Sequence, residues 1–372
     1  MQDCIACRRL SGTPGDRPRP APPGLRVGRS SALRFYSIPA AKSNGRPRRF
    51  LPAAGGRATL APMPPAPTPP PSPRRGRSAG RAGPGMLLAA LALAACSLSG
   101  FSRPALRLGV EPVRDIAFVA QALEQADRAS PHLLAVDIGQ VTAGEFQALL
   151  GYAAFRPFQP ERRRALLLSG VRGTDRAAVQ AVLDLLGDLA SAPQAYAAWD
   201  LDLIPLLNPW GFVHDRPENA YGIDIDRDFG QFRSAEARLL RRFLREKRYD
   251  LVIDLREDPR AMGFAIGLTG IEDRAAADSL IRRLRAEGHP VADDTLVFLG
   301  PRAGVARTPL WGLRLLDWFG QTTMTGYLRA QVSAAVCTLV TPRTAPLEER
   351  IAMHRLAIDS LLGVAPTERK GR

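Results

Sequence analysis

NPWGFVHDRPENAYGIDIDRDF, residues 208–229, is a long polar loop set between two segments of contrasting character. The apolar run LDLIPLLN (201–208) leads into it and has the length and composition of a buried strand. Beyond it, Ser234, Ala235 and Glu236 open an amphipathic stretch that reaches residue 248, a helix start of N-cap type. Strand, long loop and helix in that order form one unit of an α/β sheet. Ligands on such sheets bind beyond the carboxyl ends of the strands.

Within the loop, Asp224, Asp226 and Asp228 alternate around Arg227. Spacing tests the calcium reading. An EF-hand loop counted from Asp224 puts Phe229 at its sixth position and Ala235 at its twelfth, where glycine and a bidentate glutamate are needed. Gly230 and Glu236 each miss by one residue, and Phe resists the backbone conformation of the sixth position. A substrate clamp and a solvated turn remain.

Working outward, further strand candidates are HLLAVDI (132–138), RALLLSGV (164–171), YDLVIDL (249–255), GFAIGL (263–268), TLVFLG (295–300) and AAVCTLVT (334–341). Amphipathic stretches at 174–191, 234–248, 273–288 and 346–362 alternate with them. The alternation predicts an α/β fold: a mixed, mostly parallel sheet with helices on both faces. Residues 105–365 suffice for one such domain. Its strand-end loops are SGVRGTD (169–175), the loop at 208–229, DLREDPRAMGF (254–264) and TLVTPRTAPLEERI (338–351).

Those four loops, in that order, resemble the zinc carboxypeptidases of the carboxypeptidase A type and their succinylglutamate desuccinylase and aspartoacylase relatives. NPWGF is similar to the family's N-P-x-G-[FY], GIDIDRDF to G-V-D-L-N-R-N-F, and TLVTP with PLEERI to a T-L-E-T-P and L-E-E-R pair. The resemblance spans roughly residues 130–362. It implies that Arg227, at the Arg of the family's Asn-Arg pair, grips a substrate's terminal carboxylate through two parallel charge-assisted hydrogen bonds. Asp226 replaces the Asn and sets a like charge beside that carboxylate. Arg216 stands where the family places the arginine that stabilises an oxyanion.

The departures bear on activity. The family's zinc is held by His-x-x-Glu after one strand and a His after another; these positions read Arg172, Asp175 and Arg256. The family's general base is replaced by Val340. A guanidinium has five donors and no acceptor, so it cannot ligate zinc. No metal cofactor is therefore expected, although the family uses zinc. Of the histidines, His132, His289 and His354 match no ligand position, while His214 lies in the 208–229 loop. The expectation is that Arg172 and Arg256 restore the ion's positive charge by neutralising Asp175, Asp254 and Glu257.

Three functions follow: a catalytically inactive relative that binds a carboxylate-bearing peptide or amino acid, a hydrolase of altered chemistry using Asp175, Glu257 or Asp228, or a purely structural envelope protein. Charge does not argue for nucleic acid. The chain has 51 Lys and Arg against 36 Asp and Glu, but residues 1–85 hold 16 of the basic and only 2 of the acidic ones. The remainder is nearly balanced, with 35 basic and 34 acidic residues.

Residues 1–85 also carry 17 of the 33 prolines and no apolar periodicity, which predicts a disordered leader or sequence upstream of a later start at Met63 or Met86. Cys4 and Cys7 form a C-x-x-C there without a second pair. An Arg- and Ser-rich stretch, LRVGRSSALRFYSIPAAKS, has transit-peptide character but leaves the next segment unexplained. That segment, the apolar run from Met86 to Ala95, is too short to span a bilayer and fits a signal-peptide core after Arg74, Arg75, Arg77 and Arg81. LAAC, ending at Cys96, resembles the bacterial lipobox. It implies a lipid on Cys96 and a chain held at a bacterial membrane, facing the periplasm, in the outer membrane if the cell is Gram-negative. Cys337, in AAVCTLV, is expected in the core.

Overall fold

Residues 165–168 show how the sheet is covered. Ala165 and Leu167 enter one hydrophobic core, Leu166 and Leu168 a second, and all four are fully buried. Side chains alternate across a strand, so a continuous apolar run requires cover on both faces. The structure, a computed structural model, describes residues 106–107, 110–157, 159, 162–292 and 303–364. All of them belong to one compact unit, Phe35–Arg372. The other unit, Met1–Arg34, the leader, Cys96 with its apolar run and the expected strand at 295–300 lie outside the described residues.

Eight strands form one sheet: β1 (Leu133–Ala143), β2 (Phe146–Phe155), β3 (Arg163–Leu168), β4 (Trp199–Ile204), β5 (Leu251–Asp258), β6 (Ala265–Thr269), β7 (Val305–Arg307) and β8 (Val336–Pro342). Their order is β1-β2-β4-β3-β5-β8-β6-β7. The centre, β4-β3-β5-β8, is parallel; β1, β2 and β6 join antiparallel. The expected mixed, mostly parallel α/β fold is the one observed.

Helices α1 (Ala117–Ala129), α2 (Arg176–Ser191), α5 (Ala275–Ala286) and α8 (Leu347–Leu362) pack in the first core. Helices α4 (Ala235–Leu244) and α7 (Met324–Gln331) pack in the second. Between them in sequence lie short α3 (Pro209–Val213) and α6 (Leu310–Trp318). No described helix is long and apolar enough to cross a membrane. Cys337 is buried in the first core, as expected.

The structure adds elements that periodicity did not reveal. Strand β2 pairs along the whole of β1 through a tight turn at Gly144, whose φ of 60° suits glycine. Its sequence, FQALLGYAAF, has no β-branched residue and no apolar–polar alternation, so periodicity does not mark it, although Phe146, Tyr152 and Phe155 favour a strand. Helices α1, α6 and α7 were also missed.

Candidate functional site

The parity of β5 divides the site between two faces. Val252 enters the second core, and Asp254 and Arg256 share its face; Ile253 and Leu255 enter the first core, and Glu257 shares theirs. Successive residues of a strand point oppositely, so Arg256 and Glu257, adjacent in sequence, serve different sides of the sheet.

On the first of these faces Arg256 is 7 % exposed and doubly engaged. Its Nε donates to Asp254 Oδ2 at 2.7 Å and its Nη2 to Asp226 Oδ1 at 2.7 Å. Burial opposes the charge on Arg256, yet the two carboxylates raise its pKa well above the ordinary value. Burial also works against ionised Asp226, but the Arg256 guanidinium, helped by Arg172 and Arg227, holds its carboxyl below the usual range. Asp254 goes the other way: burial outweighs Arg256 and raises its pKa. Its second oxygen, Oδ1, is buried without a hydrogen-bond partner among the described residues.

The three alternate aspartates therefore have three tasks. Asp224 accepts from Asp226 N and starts the 3-10 turn Ile225–Arg227. Asp226 is Arg256's partner. Asp228, 1 % exposed, accepts from Arg233 N, Ser234 N and Ser234 Oγ, while Ser234 Oγ in turn accepts from Ala237 N and caps α4. The loop's conformation is thus tied to the helix that follows it.

On the other face, Glu257 is 1 % exposed and accepts from the backbone of Ala177 and Ala178, in the first turn of α2, and from Arg350 Nη1. Its charge meets a helix N-terminus and a guanidinium. Asp175, fully buried, accepts from Glu257 N at 3.1 Å and Arg172 N at 3.1 Å. Burial first, then the Glu257 charge, pushes its pKa up to about 7, with Arg256 opposing.

These contacts correct one expectation. Arg172 and Arg256 do not neutralise Asp175, Asp254 and Glu257 as a set: Arg256 takes Asp254 and Asp226, Arg350 takes Glu257, and Asp175 rests on backbone amides. Arg350 was visible only as part of PLEERI. Two more arginines were not singled out at all. Arg114 Nη2 and Arg343 Nη2 reach Asp215 at 2.7 and 2.9 Å, clamping the 208–229 loop from both sides. Asp215 adopts φ 49°, a conformation Asp tolerates better than most side chains.

The remaining residues sit around this core. Arg172 is half-buried, and its charge acts on Asp224, Asp226 and Asp254. Arg227 lies 3.7 Å from Asp224 with 71 % of its side chain exposed, and Arg216 is exposed. Val340 is the cross-strand neighbour of Arg256 in β8. The loops approach closely: a Cβ on Gly173 would fall 1.9 Å from the carbonyl carbon of Gly211, so the 169–175 loop meets the backbone of α3 only because residue 173 lacks a side chain. Asn208 braces the same corner, accepting from Gly211 N and donating to Pro217 O.

This donor set does not fit zinc. Arg256 fills its place with both neighbouring carboxylates already engaged, and Arg172 offers no lone pair. Among the described residues, no three His, Cys, Asp or Glu side chains come together to hold a metal ion. The histidines are placed elsewhere. His214 Nδ1 donates to Trp210 O at 2.7 Å and the imidazole stacks on that residue's ring; His289 lies 3.8 Å from Glu349; His132 lies 3.4 Å from Arg156 O. His354 is fully buried with Nε2 3.1 Å from Thr341 Oγ1, and burial, then the Arg350 charge, lowers its pKa to about 3.

No family model matches this chain, and no curated protein is similar to it in sequence. Solved structures are. A candidate metallopeptidase from Shewanella amazonensis superposes with a TM-score of 0.55 at 20 % identity, covering 68 % of this chain and 94 % of that one. A candidate metallopeptidase from Shewanella denitrificans gives 0.54 at 17 %, covering 72 % and 100 %. Carboxypeptidase A from Helicoverpa armigera gives 0.50 at 14 %, covering 75 % and 79 %. The chain has a zinc-carboxypeptidase-like fold, as the four loops implied; identities this low speak to the fold alone.

Proposed function

We propose that this protein is a carboxypeptidase-like binding domain that works without metal and recognises a small carboxylate-bearing peptide or amino acid. The observation carrying the reading is the guanidinium of Arg256, lodged between Asp254 and Asp226 at the strand end where the resembling family keeps a zinc ligand. It supplies positive charge but no Lewis acid and no activated water.

Arg172, Arg216 and Arg227 are the groups available to a ligand. Pairing Asp226 with Arg256 shares the like charge that would otherwise repel a bound carboxylate, so Arg227 can offer its fork as the family's arginine does. A ligand carboxylate would be gripped by Arg227 on the exposed rim and by half-buried Arg172, whose charges both act on Asp224 and Asp226, while Val340, at the family's general-base position, offers no proton acceptor.

A hydrolase of altered chemistry is less well supported. Asp175, with a pKa near neutrality, has the property of a general base, but it is fully buried and both oxygens accept backbone amides. Glu257 and Asp228 are equally enclosed. We place the chain, through a lipid on Cys96, at a bacterial envelope membrane facing the periplasm.

The test combines elemental analysis of the purified chain, hydrolysis assays on N-acyl amino acids and short peptides, and thermal shift with the same compounds. Expected are no stoichiometric zinc, no turnover, and a ligand-dependent rise in Tm that Arg172→Ala or Arg227→Ala abolishes. One zinc per chain with turnover would establish the hydrolase instead. No Tm rise with any carboxylate would leave the structural reading.

A further inference from the structure

A cavity beyond the end of the 208–229 loop, at Phe229, opens between α4, α6 and α7. It measures about 920 Å³, and seven arginines line it against one carboxylate, Asp317. Arg241 and Arg242 come from the last turn of α4, Arg245 and Arg248 from just beyond it, and Arg314 from α6; all five are exposed. The body as a whole has nearly balanced basic and acidic residues, so this is a local excess.

Helix α6 forms one wall and is itself unusual. None of its nine residues is buried. Leu310, Leu313, Arg314 and Asp317 line the groove, at helical spacing. Trp311, Leu315 and Trp318 repeat at the spacing of a second stripe, and Phe319 follows. Trp311 is 67 % exposed and Trp318 81 %. Exposed tryptophans cost free energy in water unless something covers them.

From this juxtaposition we infer that α6 and the arginine groove form a docking face for an anionic phospholipid surface. Indole and phenyl rings settle at the headgroup boundary, where one edge is apolar and the other wet. Arginines beside them pair with lipid phosphates as bidentate donors. A soluble polyanion would satisfy the arginines but offers nothing to the Trp311–Trp318 stripe, whereas a bilayer surface satisfies both. The inference does not depend on the binding reading above, nor on lipidation of Cys96.

The chain's four tryptophans make the test site-specific. Trp199 and Trp210 are 2 % and 4 % exposed, leaving Trp311 and Trp318 to report contact. The full chain is titrated with phosphatidylglycerol–phosphatidylcholine vesicles and with phosphatidylcholine alone. Expected is a blue shift of emission on the anionic vesicles only, quenched by acyl-brominated lipid and reversed by salt. The shift should vanish in Trp311→Phe/Trp318→Phe. Arg242→Ala and Arg245→Ala should each weaken partitioning about fivefold. Circular dichroism checks that these surface variants stay folded. No shift on either vesicle, an equal shift on both, or sedimentation with vesicles without a shift would each overturn the proposal. The last would assign membrane retention to the N-terminal region, and inorganic polyphosphate binding without a vesicle response would make the groove a soluble-anion site.

Discussion

Arg256 holds Asp226, thirty residues away in the 208–229 loop, with the same guanidinium that holds Asp254 on its own strand, each at 2.7 Å. One side chain thus fastens the loop to the sheet. Arg256→Ala would leave two enclosed carboxylates without their partner, and the expected loss is about 3–5 kcal/mol in chemical denaturation. Arg256→Lys should recover only part of this, because an ammonium cannot fork between two carboxylates. A fully stable alanine variant would show that the site is open to water and the pairing incidental.

Glu257 and Arg350 give a second, separable pair on the opposite face. Arg350→Ala should cost about 3 kcal/mol by leaving Glu257 charged and enclosed. Adding Glu257→Gln should restore part of that, since the neutral amide keeps shape without charge. A double-mutant cycle measures the coupling, expected to be at least about 1 kcal/mol.

The alternate aspartates should respond unequally to alanine. Asp228→Ala removes three accepted hydrogen bonds and the support of the Ser234 cap, for an expected loss of about 2–4 kcal/mol. Asp224→Ala removes one cap of a single partly exposed turn, for about 1 kcal/mol or less. Equal losses at Asp224, Asp226 and Asp228 would contradict three separate tasks.

His354 sets a pH dependence. Its pKa is about 3 in the folded chain and about 6.5 when unfolded, so below that value the unfolded state binds the proton first. Its contribution to stability is complete above pH 6.5 and is lost as pH falls toward 3. Relative to His354→Gln, which retains a partner for Thr341 but does not titrate, the wild type should lose up to about 1.4 kcal/mol per pH unit between pH 6 and 4. Parallel curves for the two proteins would mean that His354 titrates normally.

Intact-mass spectrometry of protein from a bacterial envelope tests the lipobox. The expected mature chain begins at Cys96 with a lipid attached. An unmodified Cys96, or any residue before it, would remove the anchor.

Much of this was legible in the amino-acid order. Runs such as RALLLSGV and YDLVIDL read as central strands, because short, nearly continuous apolar stretches need cover on both faces, and Ser234 marks a helix start by its own hydroxyl. The order of the four strand-end loops and the arginines at 172 and 256 are properties of the chain alone. So is the inability of those arginines to ligate a metal, since a guanidinium carries no free lone pair in any fold. What each carboxylate meets was decided by tertiary structure. Asp254, Arg256 and Glu257 read as one charged cluster in sequence, but the two-residue period of β5 sends Glu257 to the far face, where α2 and Arg350 receive it. Asp226 finds Arg256, and Asp215 finds Arg114 and Arg343, across separations of 30 to 128 residues that local spacing cannot encode. Strand β2 belongs to the same class: its sequence shows no two-residue apolar alternation, and pairing with β1 and β4 on either side sets its extent and register.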